Sequence, residues 1–172
     1  SIMGVVDGGI TGECLRTDLL WALESLAWDP TNIRRVCEIL EDLCRFRAED
    51  NWSNKPFESL LSQFRPWLPK APLDVEERVK LLRHLMVRDR TTGFLLCLSL
   101  LPRHHDSASD NATPRWRSYE TERSAVTYGE IWRMHDVARG LLLGAKPHRV
   151  EDLVGLIDRI DAFPSEMFPA II

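Results

Sequence analysis

Residues 16–28, RTDLLWALESLAW, carry the pattern that decides the fold class of this 172-residue chain. Apolar side chains recur there at steps of three and four positions, as one face of an α-helix requires: Leu19, Leu20, Leu23, Leu26 and Ala27. Thr17 or Asp18 can cap the start of this helix, and Asp29-Pro30 ends it. The stretch therefore predicts an amphipathic helix.

The same spacing recurs along most of the chain. Residues that favour helix starts precede further apolar runs: Thr31 or Asn32, Ser53 or Asn54, Asp74 and Thr127. The run 93–101, GFLLCLSLL, is apolar on nearly every side, which predicts a helix enclosed by its neighbours. A last long helix is defined by the apolar set Val150, Leu153, Val154, Ile157 and Ile160. No segment alternates with period two for long, so the predicted fold class is all-α.

A second, longer spacing concerns the arrangement of these helices. Trp21, Phe57, Gly93 and Ile131 lie in successive predicted helices, and they are 36, 36 and 38 residues apart. Periods of this size are typical of HEAT, armadillo and tetratricopeptide arrays, although the residue signatures of those repeats do not recur. We therefore predict an irregular array of antiparallel helix pairs, either a HEAT- or armadillo-like solenoid or a helical bundle, with about six to eight helices.

The predicted organisation is a flexible leading segment, residues 1–16, followed by a single helical domain, residues 17–172. A long polar loop near residues 102–126 interrupts that domain. Because the chain begins with Ser and ends in an apolar tail, FPSEMFPAII, we expect it to be a segment of a longer protein.

Composition excludes several classes of function. The formal net charge of −4 supplies no basic field, which argues against a nucleic-acid partner. The longest apolar run is far shorter than the roughly 20 residues that span a bilayer, and the first residues do not resemble a signal peptide. The cysteines, Cys14, Cys37, Cys44 and Cys97, form no CxxC pair. These features predict a cytoplasmic chain without a membrane partner.

No motif of an enzyme active site occurs in the sequence. A Gly-x-Ser-x-Gly elbow, a phosphate-binding loop and a dinucleotide fingerprint are all missing. The carboxylate pairs Glu41-Asp42, Glu76-Glu77 and Glu151-Asp152 lie near helix starts or on polar faces, where solvated surface is the expected role. We therefore predict no catalytic residue and no cofactor.

The stretch 100–119, LLPRHHDSASDNATPRWRSY, is the strongest candidate for function. It combines Trp, Tyr and Arg, which are enriched at binding hot spots, with a long stretch of small polar residues. The predicted interaction residues are Arg103, His104, His105, Arg115, Trp116, Arg117 and Tyr119. The predicted partner is another protein, or another domain of a larger parent chain.

Two alternatives remain open at this point. One is a small metal-dependent, hydrolase-like helical domain that uses His84, His104, His105, Asp106 and His135. Adjacent histidines seldom bind one metal ion, and the spacing of zinc-binding helices is not present. The other is nucleic-acid binding through basic residues around the fourth helix: Arg78, Lys80, Arg83, Arg88 and Arg90.

Several phrases resemble a helical segment of large multidomain bacterial proteins, some of them signal-transduction or defence-type NTPases. These phrases are LLWALESLAWDP, NWSNKPFESL, FRPWLPKAP, the LLPRHHD and PRWR pair, and VTYGEIW. The resemblance covers about residues 17–163 and rests on packing and turn motifs. It implies a scaffold, sensor or interaction segment with no catalytic residue of its own, the activity of the parent protein lying outside it.

Overall fold

The computed structural model describes residues 15–46, 55–103, 125–145, 147 and 149–170. Within these ranges the chain forms α-helices and no strand, which confirms the all-α prediction. The helices are Leu15–Leu26 (α1), Ile33–Cys44 (α2), Pro56–Phe64 (α3), Val75–Arg88 (α4), Arg90–Leu100 (α5), Tyr128–Ala145 (α6) and Val150–Ile157 (α7). Two 3-10 segments follow, Ile160–Ala162 and Ser165–Ala170.

The first three helices pack on one another, with α2 against both α1 and α3. The predicted apolar face of α2 is buried, including Ile33, Val36 and Leu40. Asn32 precedes α2 as predicted, although its side chain makes no capping hydrogen bond. Helix α3 begins at Pro56, and its N-cap is Lys55 rather than a capping Ser or Asn. Ser53 and Asn54 lie outside the described residues.

Helices α4 and α5 pack against each other and are joined by one residue, Asp89. Asp89 ends α4, and its carboxylate accepts hydrogen bonds from the backbone N–H groups of Thr91 and Thr92 at the start of α5. One linking residue forces the two helices close together. A Cβ atom built on Gly93 would lie 2.6 Å from the Cα atom of Met86, so this position admits only glycine without movement.

Helix α5 is the centre of the second half of the molecule, because it packs against α3, α4, α6 and α7. Phe94, Leu96 and Leu100 are buried, as the apolar run predicts, whereas Leu95 is exposed. Helices α4, α5 and α6 all contact one another. This mutual contact does not confirm a solenoid of helix pairs, which stays a prediction.

The predicted starts of α4 and α6 are confirmed by their hydrogen bonds. The Asp74 carboxylate accepts from the Glu77 backbone N–H at 2.8 Å, and the Glu77 carboxylate accepts from the Asp74 N–H at 3.1 Å. Thr127 and Glu130 make the same reciprocal pair at the start of α6. Both helices therefore begin where local sequence places them.

Candidate interaction surfaces

The predicted interaction loop is described only at its start. Arg103 is exposed, and the carbonyl groups of Leu101 and Pro102 just before it accept hydrogen bonds from the Arg159 guanidinium at 3.0 and 2.7 Å. This contact fixes the point at which the loop leaves α5. The other predicted interaction residues lie outside the described residues: His104, His105, Arg115, Trp116, Arg117 and Tyr119.

The candidate metal ligands are only partly described. His84 Nε2 lies 2.9 Å from Glu38 Oε1, and this hydrogen bond is the main cause of a lowered Glu38 pKa. His135 is half-buried on α6; burial lowers its pKa, and the charge of Arg139 adds to the effect. Among the described residues no three His, Cys, Asp or Glu side chains could hold one metal ion. His104, His105 and Asp106 lie outside those residues.

The cysteines in the described ranges, Cys37, Cys44 and Cys97, are free thiols. Cys37 and Cys97 are buried, and Cys44 is half-buried. Burial raises the pKa of Cys44 and of Cys97 to about 12. A thiol with so high a pKa is a poor nucleophile at neutral pH. These cysteines therefore act as small apolar side chains.

A buried ion pair joins α2 to α4, and the sequence did not predict it. The Arg88 guanidinium contacts the Glu41 carboxylate, which is fully buried, and lies 2.6 Å from Asp42 Oδ2. Burial raises the pKa of Glu41, and the contact with Arg88 opposes that rise. The expected solvated role is thus wrong for Glu41, and likewise for Asp152, which is buried and bonded to Arg149 at 2.6 Å.

The basic residues around α4 divide into internal and free groups. Arg78 is buried with its Nη2 atom 3.8 Å from Glu130 Oε1, and burial lowers its pKa. Arg88 is paired with Glu41 of α2, and Arg90 donates a hydrogen bond to the carbonyl of Ala145. Lys80 and Arg83 remain exposed, and after the hydrogen bond from Arg133 their charges also help to lower the pKa of Glu76 on the same helix.

Arg83 stands at the rim of a groove between α4 and α6. The groove has a volume of about 300 Å³ and is lined by Arg83, Arg133, Asp136, Val137, Gly140 and Leu141. Arg133 is also bonded to α4, because its Nε and Nη2 atoms lie 2.8 and 3.2 Å from the two carboxylate oxygens of Glu76. The α6 wall is smooth at Gly140, because a Cβ atom there would meet nothing within 4 Å.

Helix α7 exposes the apolar face that the sequence pattern marks. The exposed fractions are 75% for Val150, 41% for Leu153, 49% for Val154 and 56% for Ile157. The opposite side of α7 packs on α5, where a Cβ atom on Gly155 would lie 2.7 Å from Leu98 Cδ1. Glu151 and Asp158 are exposed along one flank of the apolar face. The sequence identified this face as apolar, but only the packing of Gly155 on α5 turns it outward.

Tryptophan side chains are used in two ways. Trp28 is buried, as expected for a ring that fills a helical core, whereas Trp21 and Trp132 are exposed. Tyr128 is also exposed, one helical turn before Trp132 on α6. Exposed Trp and Tyr on a helix are typical of contact surfaces. These positions were not among the predicted interaction residues.

Within the described ranges, no helix has both the length and the apolar character needed to cross a membrane. Comparison with family models, curated proteins and solved structures gives no match to this chain.

Proposed function

We propose that this chain is a non-catalytic helical scaffold or protein-interaction module of a larger bacterial protein, with α7 as a contact surface. The observation that carries the proposal is the exposed apolar set on α7: Val150, Leu153, Val154 and Ile157. These residues stand at positions i, i+3, i+4 and i+7, the spacing by which one helix anchors itself to an apolar groove. The predicted loop beginning at Arg103 is a second proposed contact region.

Covering this face would contribute favourable free energy to binding. Complete burial of one Val, Leu or Ile side chain contributes roughly 1.5–3 kcal/mol, and about half of each α7 side chain is still exposed. Covering all four would contribute on the order of 4 kcal/mol before the costs of association. Glu151 and Asp158 flank the face, so the fitting partner surface is apolar with a basic rim.

Matched variants test the proposal. Leu153 on α7 and Leu26 on α1 are exposed to nearly the same extent, 41% and 42%, so Leu153→Lys and Leu26→Lys introduce the same charge into comparable sites. The 172-residue chain and both variants serve as baits in lysate of the source organism. A protein captured by wild type and Leu26→Lys, but not by Leu153→Lys, supports the α7 contact.

Equal capture by all three baits contradicts a role for α7, and no specific capture by any bait contradicts binding to a separate protein. A further bait carrying Trp116→Ala and Arg117→Ala examines the loop in the same experiment. Loss of a partner from that bait alone assigns the contact to the loop. Circular dichroism of each bait confirms that helix content is unchanged.

A further inference from the structure

The α7 face and the α4–α6 groove have complementary chemistry. Helix α7 presents apolar side chains beside the exposed carboxylates of Glu151 and Asp158. The groove presents the smooth wall at Gly140 beside the exposed cations of Lys80 and Arg83. We propose that α7 of one copy of this chain docks in the α4–α6 groove of a second copy, in a head-to-tail contact.

The α6 side of the groove is open at two glycines. Gly140 and Gly144 are one turn apart on α6, both are exposed, and a Cβ atom on either would meet nothing within 4 Å. Glycine inside a helix costs about 1 kcal/mol relative to alanine. Glycine nevertheless occurs in helices where another element must approach the backbone closely. The groove floor adds the apolar side chains of Val137 and Leu141.

The charges give the contact an orientation. Glu151 and Asp158 are two turns apart, so both lie on the same flank of α7. The exposed Lys80 and Arg83 lie on the α4 wall, whereas the α6 wall carries Arg133, which is bonded to Glu76, and Asp136, which is bonded to Arg139 at 2.9 Å. The acidic flank therefore faces α4, and the apolar residues face the glycines of α6. Within the chain, Lys80 and Arg83 act electrostatically on Glu76, whose carboxylate is hydrogen-bonded to Arg133.

The contact must form between copies rather than within one. Helix α7 is fixed to α5 of its own chain through Gly155 and Leu98, and Arg159 just after it donates to the carbonyl groups at the end of α5. Its outer face thus points away from α5, whereas the groove is formed by α4 and α6. Each copy keeps one free face and one free groove, so association continues into rings or open chains.

Two variants that damage opposite halves of the contact test this proposal. Leu153→Lys damages α7 and leaves the groove intact, whereas Arg83→Glu damages the groove and leaves α7 intact. Both side chains are exposed, so neither change disturbs the core. We expect the wild-type mass in sedimentation velocity to rise beyond a dimer between about 10 and about 500 µM, the range for a contact of small area. We expect each variant alone to associate at least tenfold more weakly.

The mixture of the two variants gives the decisive result. An equimolar mixture contains one intact face and one intact groove, so it should form 1:1 dimers and nothing larger. Wild type that stays monomeric throughout the concentration range overturns the proposal. A mixture that stays monomeric overturns it as well. Association that Leu153→Lys abolishes and Arg83→Glu leaves unchanged would instead indicate a symmetric contact between two α7 helices.

This inference rests on the proposed role of α7 as a contact surface, but the two can fail separately. The wild-type chain could remain monomeric and yet capture a different protein through α7. That result overturns the head-to-tail contact and leaves the proposed function standing. Conversely, self-association of wild type with recovery in the mixture supports the head-to-tail contact even when lysate supplies no partner.

Discussion

Glycine-to-alanine substitutions at Gly93 and Gly140 should change stability in opposite directions. At Gly93 the added Cβ atom would lie 2.6 Å from Met86 Cα and 3.1 Å from Met86 N, against an ordinary carbon contact of about 3.5–4 Å. The α4 and α5 backbones must therefore separate by roughly 1 Å, and overpacking of this kind costs about 1–3 kcal/mol. Alanine regains about 1 kcal/mol of helix propensity.

We therefore expect Gly93→Ala to lower the free energy of unfolding by up to about 2 kcal/mol. At Gly140 alanine brings the same gain in helix propensity without a steric cost. Gly140→Ala should therefore raise the free energy of unfolding by up to about 1 kcal/mol. Gly155→Ala should fall between them, because its Cβ atom would meet only Leu98 Cδ1, the end of a flexible side chain. Urea unfolding, followed by circular dichroism and tryptophan fluorescence, measures all three.

Equal shifts for Gly93→Ala and Gly140→Ala would refute this reasoning. Such a result would mean that helix propensity alone sets both values and that α4 does not approach α5 closely at Gly93. A changed denaturant slope in one variant would indicate an altered unfolded or native state rather than a local clash.

Two further predictions concern charge. Arg88→Met should destabilise the fold by about 3 kcal/mol, because it leaves the buried Glu41 carboxylate without its cation. In urea unfolding, the double variant Arg88→Met with Glu41→Leu should recover part of that loss. No recovery would show that the pair is not coupled. Burial lowers the pKa of His135 in the folded chain, so the unfolded chain takes up the proton first as pH falls, and stability is lost below about pH 6.5. His135→Leu should remove that part of the pH dependence, and a pH profile of unfolding identical to that of wild type would contradict it.

The starts of α4 and α6 follow from local sequence, whereas α1 already includes Leu15, ahead of its predicted caps Thr17 and Asp18. Asp74 with Glu77 and Thr127 with Glu130 form hydrogen bonds across three residues, so neighbouring residues alone determine them. The buried side of α2 was likewise predicted from apolar spacing, because one helix face repeats every three or four residues. These features needed no knowledge of distant parts of the chain.

The sequence predicted only part of the candidate site. The basic residues near α4 were identified, but Arg78 and Arg88 turned out to be internal, and that division depends on α6 and α2. The groove around Gly140 requires α4 and α6 to lie side by side, although about 50 residues separate them along the chain. The predicted loop residues after Arg103 lie outside the described part of the chain.

By itself the sequence determined the all-α class, the starts of α4 and α6 and which helix faces are apolar, since these depend on backbone periodicity and on contacts within a few residues. Only the tertiary structure decided which apolar faces are covered. Gly93 and Gly155 let α4 and α7 approach α5, and this packing leaves the marked face of α7 exposed. Burial is a property of pairs of distant segments, and no spacing along one helix specifies the partner that will cover it.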